Sequence, residues 1–217
     1  MHRRRPAAAG QGSLLTVWAL ALACSSLTAP SAADGAIVEL LSPQDNAVLA
    51  HFGAWRQAVL DAAGSEGDSV AKRALAEALA GTPLPFDSAR GSTQDGATGH
   101  TFELTGAWRC RFFKLGPGAA LTVHGWFACR IEEDDAGTLL AKTTGSQRMN
   151  GRLYRWTHEQ LLFLGALYYD NEEPLRFGDR RARDQLALLT RLADDRMLLE
   201  FPAPAAGSDF AILEFRR

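Results

Sequence analysis

The chain has few of the residues from which catalytic and metal-binding motifs are built. Its 217 residues include three cysteines and five histidines, and they contain no G-x-S-x-G, P-loop or H-E-x-x-H motif. Four histidines lie after residue 33, namely His51, His100, His124 and His158. No two of them have the spacing of metal ligands. The sequence therefore predicts no catalytic residue, no metal site and no cofactor.

An excess of charge of one sign is also lacking. Lys and Arg number 23 and Asp and Glu number 25, so the formal net charge is −2. Nucleic-acid-binding domains carry a clear basic excess, and we expect no nucleic-acid partner. Apolar residues make up 47% and charged residues 22% of the chain, which is globular composition and excludes wholesale disorder, a coiled coil and collagen.

No apolar run near the N-terminus is long enough to cross a bilayer, which takes about 20 residues. The run at 14–23 is ten residues long, follows Arg3, Arg4 and Arg5, and precedes small residues at 31–33. This is the layout of a secretory signal peptide. We predict that residues 1–33 are removed on export, which leaves no membrane span and a periplasmic or secreted protein. A lipoprotein anchored at Cys24 is the alternative.

Removal of the signal peptide leaves two cysteines, Cys110 and Cys129, in an oxidising compartment, where a pair first suggests a disulfide. Strand alternation places both on the inward side of their strands. A tight turn at Pro117 would hold them several residues apart along the ladder, whereas a bridge needs Cα atoms within about 7 Å. A disulfide therefore requires a wider turn or a bulge; otherwise the cysteines are small core residues.

Residues 34–81 are predicted to form a helical arm. Ser42 can cap a first helix ahead of Pro43, and apolar residues then recur at helical spacing, at Val48, Phe52, Trp55 and Val59. The segment 68–80 predicts a second helix. Residues 82–100, with their prolines and glycines, predict a flexible connector.

From residue 101 onward the period of the apolar residues changes from 3.6 to 2, which indicates half-buried strands. The pattern predicts a mainly β fold over 101–217, an up-and-down barrel of about eight antiparallel strands behind the N-terminal helices. It includes a hairpin of 185–192 with 196–201. The strand at 161–169 is apolar on both faces, so we expect the helices to cover its outer side.

Asn150 followed by Gly151 is the strongest hairpin signal in the chain, because both residues tolerate positive φ. A two-residue turn there pairs Gln147 with Tyr154 and brings Trp156 beside them. A mostly apolar lumen with a few polar groups is typical of small-molecule sites. The predicted ligand-binding residues are therefore Trp108, Phe127, Gln147, Tyr154 and Trp156. The alternative is a hydrogen-bonded core pair that only fixes strand register.

Gly106, Ala107 and Trp108 open the first long strand, and this G-x-W resembles the start of a lipocalin-like (calycin) barrel. In that superfamily a basic residue near the final strand covers the tryptophan, which implies Arg216 or Arg217 here. A wider series of short motifs follows in the chain: WRCR at 108–111, KLG at 114–116, GWFACRI at 125–131, TGSQR at 144–148, GRLY at 151–154 and LGA at 164–166. Together these motifs resemble the bacterial domain-of-unknown-function family 4893 over most of 42–215. This resemblance implies an exported protein and no assigned activity.

Three functions are open at this point. The first is an exported non-catalytic barrel that binds a small apolar or amphipathic ligand in its lumen. The second is a protein-binding or protease-inhibitor-like module of the cell envelope. The third is an envelope hydrolase without a recognised motif, which a cleft joining a carboxylate to His100 or His124 would favour. The sequence does not distinguish a hollow barrel from a filled one.

Overall fold

The computed structural model describes residues 39–65, 68–86, 102–116, 121–202 and 210–217. The predicted signal peptide, the alternative anchor at Cys24 and residues 87–100 of the predicted connector lie outside the described residues. The first part of that connector packs on the barrel. Leu84 N donates to Arg191 O at 2.9 Å, and Phe86 is buried.

Two helices precede nine strands in the described residues. The helices are α1 (Pro43–Ser65) and α2 (Ser69–Leu79). The strands are β1 (Gly106–Leu115), β2 (Leu121–Val123), β3 (Phe127–Asp134), β4 (Gly137–Lys142), β5 (Gln147–Arg155), β6 (Gln160–Tyr169), β7 (Asp184–Ala193), β8 (Arg196–Phe201) and β9 (Phe210–Arg216). A short 3-10 turn, Arg181–Arg183, precedes β7.

Eight of these strands close into an antiparallel barrel, because neighbours in sequence pair and β9 returns to β1. The closing ladder runs from Arg109 opposite Arg216 to Leu115 opposite Phe210. The short β2 pairs with the last residues of β1, and β3 pairs with the first ones. The prediction of an up-and-down barrel behind N-terminal helices is confirmed.

The first helix begins at the predicted cap Ser42, and Asp68 caps the second helix. Ser42 Oγ accepts from Asp45 N at 3.2 Å, and an Asp68 carboxylate oxygen accepts from Ala71 N at 3.1 Å. These bonds satisfy amides that have no partner within the first turn of a helix.

The helices cover part of the outer face of the barrel, over the end of β1 and over β6 to β9. Their buried residues form one apolar cluster with outward-facing strand residues; the cluster includes Phe52, Leu75 and Ala78 from the helices and Leu162, Leu164, Leu188, Leu198 and Ile212 from the strands. One ion pair spans the contact, with Arg56 Nε 2.7 Å from Glu200 Oε1. Burial raises the pKa of Glu200, although Arg56 opposes the shift. The expected cover over 161–169 is therefore confirmed.

The barrel interior is filled with side chains over most of its length. The rings of Phe163 and Phe201 lie 6.2 Å apart, and those of Trp108 and Phe215 lie 6.3 Å apart. At the end where β1 begins, the Arg217 guanidinium lies 4.0 Å from the centre of the Trp108 ring. Arg217 is thus the basic residue that the calycin resemblance implies.

Cys110 and Cys129 form a disulfide, with their Cα atoms 5.9 Å apart. The two residues are not directly opposite, since Cys110 pairs with Phe127 and Cys129 pairs with Trp108. The bridge is therefore diagonal. Residues 124–126 leave the ladder between β2 and β3, and the register of β1 shifts there by one position. Of the alternatives that the sequence leaves open, a wider turn and a bulge are both present: five residues lie between the paired Leu115 and Leu121, and the bulge adds one further shift of register.

The predicted hairpin at Asn150 and Gly151 is wrong, because β5 runs through both residues and the turn before it lies at 143–146. Gly151 lies opposite Gly165 on β6. A Cβ on Gly151 would overlap Gly165 Cα and lie 2.7 Å from the Phe163 ring. The glycine therefore marks a close approach inside the sheet rather than a turn.

Gly165→Ala is expected to lower the free energy of unfolding by about 2 kcal/mol or more, because the new Cβ overlaps Asn150 O and the Phe163 ring. Gly53→Ala is the matched control. It lies on the exposed face of α1 with no atom within 4 Å of the added Cβ, so it should raise stability by up to about 1 kcal/mol. Urea unfolding compares the two, and equal effects would contradict the glycine contact.

Candidate functional site

One end of the barrel, where β1 and β4 finish and β5 and β7 begin, holds an open cavity of about 300 Å³. Its lining consists of Phe112, Lys114, His124, Phe127, Lys142, Ser146 and Gln147. A void of about 20 Å³ adjoins it and adds Arg148, Met149, Leu167, Gln185 and Ala211 to the lining. These two spaces together are called the mouth cavity below. They lie at the opposite end of the barrel from the Trp108–Arg217 contact.

Lys114 and Lys142 reach the mouth cavity because they continue the inward-facing rows of their strands. Phe112 precedes Lys114 by two positions on β1, and Leu140 precedes Lys142 by two positions on β4. Side chains two positions apart on a strand share a face. The two lysines therefore take inward positions at the point where the strands leave the apolar interior. Gln147 occupies the inward row at the start of β5.

Lysine is scarce in this chain, which has three lysines against 20 arginines. Two of the three, Lys114 and Lys142, line the mouth cavity; the third is Lys72 on α2. An ammonium is a compact charge whose pKa responds to burial, whereas a guanidinium stays charged. The mouth cavity thus concentrates a residue type that the rest of the chain hardly uses.

The Lys142 ammonium is held on three sides and is almost fully buried. Its Nζ donates to Thr144 O and Gln147 O, both at 2.6 Å, and lies 3.8 Å from the centre of the Phe127 ring. Two carbonyls and one aromatic face account for the three N–H bonds of an ammonium. Lys142 therefore fixes the turn at 143–146 and places a buried charge in the cavity wall.

Lys114 and His124 have fewer partners than Lys142. Within the described part of the chain, Lys114 Nζ has one hydrogen-bond acceptor, Gln147 Oε1 at 3.3 Å. His124 is positioned by its backbone N, which donates to Phe112 O at 2.9 Å. Its Nε2 is buried and has no hydrogen-bond partner among the described residues. The cavity therefore presents polar groups that the described residues do not satisfy.

Every charged side chain that lines the mouth cavity within the described residues is basic. Burial, and then Arg148 and Lys114, lower the pKa of Lys142 to about 8. Burial also lowers the pKa of Lys114. Burial, followed by Lys114 and Lys142, lowers the pKa of His124. The result is a positive site with no carboxylate in its described lining.

The structure brings two of the five predicted ligand-binding residues to the mouth cavity, Phe127 and Gln147. Trp108 lies at the closed end and is 3% exposed. Tyr154 packs in the outer cluster under the helices, and Trp156 is 39% exposed just after β5. Since β5 is continuous, Gln147 and Tyr154 are seven positions apart on one strand and face opposite sides.

The two lysines were the site residues that sequence reasoning missed. A signal for Lys114 exists, because it falls on the even-numbered row of β1, whose earlier members are apolar or small. The sequence offers His124 as a partner of a catalytic carboxylate or as a metal ligand, and neither hypothesis predicts its place beside the lysines. The charges of the neighbouring strands come together only through the barrel register, which the sequence pattern does not provide.

The described residues contain no group of three or more His, Cys, Asp and Glu side chains placed to hold a metal ion. They also contain no helix long and apolar enough to cross a membrane.

The acidic turn after β3 is engaged by Arg152, whose Nη1 and Nη2 each lie 2.7 Å from an Asp134 oxygen. That hydrogen bond is the main cause of the lowered pKa of Asp134.

The charge state of Lys142 can be measured directly, since only three lysine signals are expected from a [¹³Cε]lysine-labelled protein. The signal that disappears in Lys142→Arg should titrate with a midpoint of about 8. A free lysine titrates near 10.4, so folding disfavours the ammonium. The loss of stability from this group builds up as the pH falls from about 10.4 to about 8 and is complete below the folded pKa. A midpoint of about 10 or above for that signal would contradict the burial argument.

Comparison with known proteins adds a family but no activity. No curated protein and no solved structure is significantly similar to the chain. A family model described as a domain of unknown function, DUF4893, matches residues 15–215. That range includes both helices, all strands of the barrel and every residue of the mouth cavity, and the chain therefore belongs to the DUF4893 family.

Proposed function

We propose that the protein is an exported, non-catalytic barrel that binds a small amphipathic molecule in the mouth cavity. The observation that carries the proposal is an open space of about 300 Å³ at one end of a barrel that is otherwise filled with side chains. Small-molecule sites are concave and largely apolar, with a few polar groups that fix orientation, and occupy about 300–1,000 Å³.

The lining suits a molecule with one apolar and one polar end. Phe112 and Phe127 supply aromatic surface, and Met149, Leu167 and Ala211 line the adjoining void. The amide of Gln147 and the two lysines supply polar groups in the same space. At about 30 Å³ for each water-sized group, the cavity has room for roughly ten heavy atoms. The deeper lumen is packed, so the ligand lies at the mouth.

Export is consistent with the chemistry of the described chain. Disulfides persist in oxidising compartments and are rare in the cytosol, and Cys110 and Cys129 form one. The signal-peptide pattern of residues 1–33 supplies the route. A periplasmic or secreted location is therefore part of the proposal.

The two other hypotheses differ in their support. The described lining beside His124 contains no carboxylate, so the hydrolase hypothesis gains nothing from this cavity. A protein-binding role has one observation in its favour: Trp126 is 37% exposed, and the guanidinium carbons of Arg109 and Arg111 lie 4.9 and 4.7 Å from the centre of its ring. A partner that the wild type captures and Trp126→Ala does not would favour that second candidate.

Titration with eight-carbon amphiphiles tests the main proposal. At least one of 1-octanol and octanoate should shift the amide signals of residues around Phe127 and Gln147 in ¹H–¹⁵N spectra. Ser146→Trp places a large ring at the cavity wall and should weaken this binding by about tenfold or more. Ser69→Trp, on an exposed position of α2, is the matched control and should bind as the wild type does. Binding that Ser146→Trp leaves unchanged, or no cavity-localised shift with either compound, would overturn the proposal.

A further inference from the structure

Lys114 has hydrogen-bonding capacity that the described residues do not use. An ammonium has three N–H donors, and the described residues offer Lys114 a single acceptor, Gln147 Oε1 at 3.3 Å. Lys142 differs, because two carbonyls and the Phe127 ring occupy its three directions. Lys142 therefore contributes charge to the mouth cavity, whereas Lys114 contributes charge and free donors.

His124 adds an independent observation in the same cavity. Its Nε2 is buried and unpartnered among the described residues, and the residue is part of the cavity lining. A neutral imidazole carries its proton on either nitrogen, so Nε2 can act as a donor. A buried polar atom without a partner is uncommon in native structures and calls for a specific explanation. A ligand acceptor in the cavity is such an explanation.

Elsewhere in the described residues, two arginines form ion pairs with buried carboxylates. Arg56 Nε lies 2.7 Å from Glu200 Oε1, and Arg111 Nε lies 2.6 Å from an oxygen of the fully buried Glu214. The mouth cavity differs from these ion pairs, because all of its described charged groups are basic. They are Lys114 on β1, Lys142 on β4 and Arg148 on β5. A buried charge is costly unless it is paired. The missing negative charge in this cavity is the one that a ligand would supply.

We propose that the ligand of the mouth cavity carries an oxyanion, a carboxylate or a phosphate monoester, which Lys114 and His124 bind in the positive field of Lys142. The inference rests on the proposed function, because it specifies the polar end of the molecule that the cavity takes. Both oxyanions accept several hydrogen bonds, and a lysine binds either one as a point charge. A neutral molecule of the same length forgoes the charge term, and a cationic one is repelled.

A matched series of eight-carbon compounds separates these cases by isothermal titration calorimetry at pH 7. Octanoate and octyl phosphate are the anionic probes, 1-octanol is the neutral probe and octylamine is the cationic probe. At least one anionic probe should bind about tenfold or more tightly than 1-octanol, and octylamine should bind least. The tighter of the two anions identifies the class of oxyanion.

Variants of the lysines provide the control. Lys114→Met keeps most of the side-chain length and removes the charge, so it should reduce octanoate affinity by about tenfold or more and reduce 1-octanol affinity much less. Lys72→Met makes the same substitution on α2, outside the cavity lining, and should change neither affinity. Raising the pH from 7 to 10 should weaken octanoate binding to the wild type, because burial lowers the pKa of Lys142 to about 8 and its ammonium then loses its proton.

The outcomes distinguish this inference from the proposed function. If 1-octanol binds as tightly as both anions and Lys114→Met affects none of them, the oxyanion assignment is overturned while ligand binding at the mouth stands. If no eight-carbon compound binds, the proposed function is overturned together with the inference. A loss of octanoate affinity in Lys72→Met equal to that in Lys114→Met would also overturn the assignment, since a general charge effect would then explain it.

Discussion

The pairing of β9 with β1 is the constraint on which the rest of the structure depends. It removes the two edges that a sheet of sequential strands would leave open, and it gives each strand of the barrel one inner and one outer face. Trp108 and Cys110 thereby belong to an enclosed core. On the outer face the same pairing brings Glu214 opposite Arg111, and their ion pair is almost excluded from water.

Closure also determines where a ligand can be held. The strands carry apolar inward residues until they approach the mouth, where Lys114, Lys142 and Gln147 take the same inward rows. Because the interior below is packed, the mouth cavity is a polar rim above an apolar floor rather than a hollow lumen. The ion pairs of the outer face, such as that of Arg56 with Glu200, balance their charges within the protein. The described charged groups of the mouth cavity are all basic and do not balance one another. This difference distinguishes a candidate binding site from polar groups that only stabilise the fold.

The fold was largely predictable, because its signals are local. Three kinds of local feature depend only on neighbouring residues, and all are present. They are the helix caps at Ser42 and Asp68, the alternation of β1 and the hairpin of β7 with β8. The site was not predictable, because it depends on register. Gly151 carries the same local signal in a turn as in a strand that passes close to another glycine. The turn that this signal predicts would place Tyr154 on the inner face of the barrel, whereas Tyr154 packs on the outer face. The two lysines come together only after β1, β3 and β4 have aligned, which no local pattern specifies.

The ladder that closes the barrel joins positions far apart in the chain, with Arg111 and Glu214 separated by 103 residues. Contacts of such long range form late, because the entropy of closing a long loop opposes them. The cysteines are separated by only 19 residues, so oxidation can lock the bulged hairpin of β1 and β3 before β9 arrives. The last strand then pairs with β1, which the disulfide already holds against β3. The two open sheet edges are therefore exposed to other chains for a shorter time.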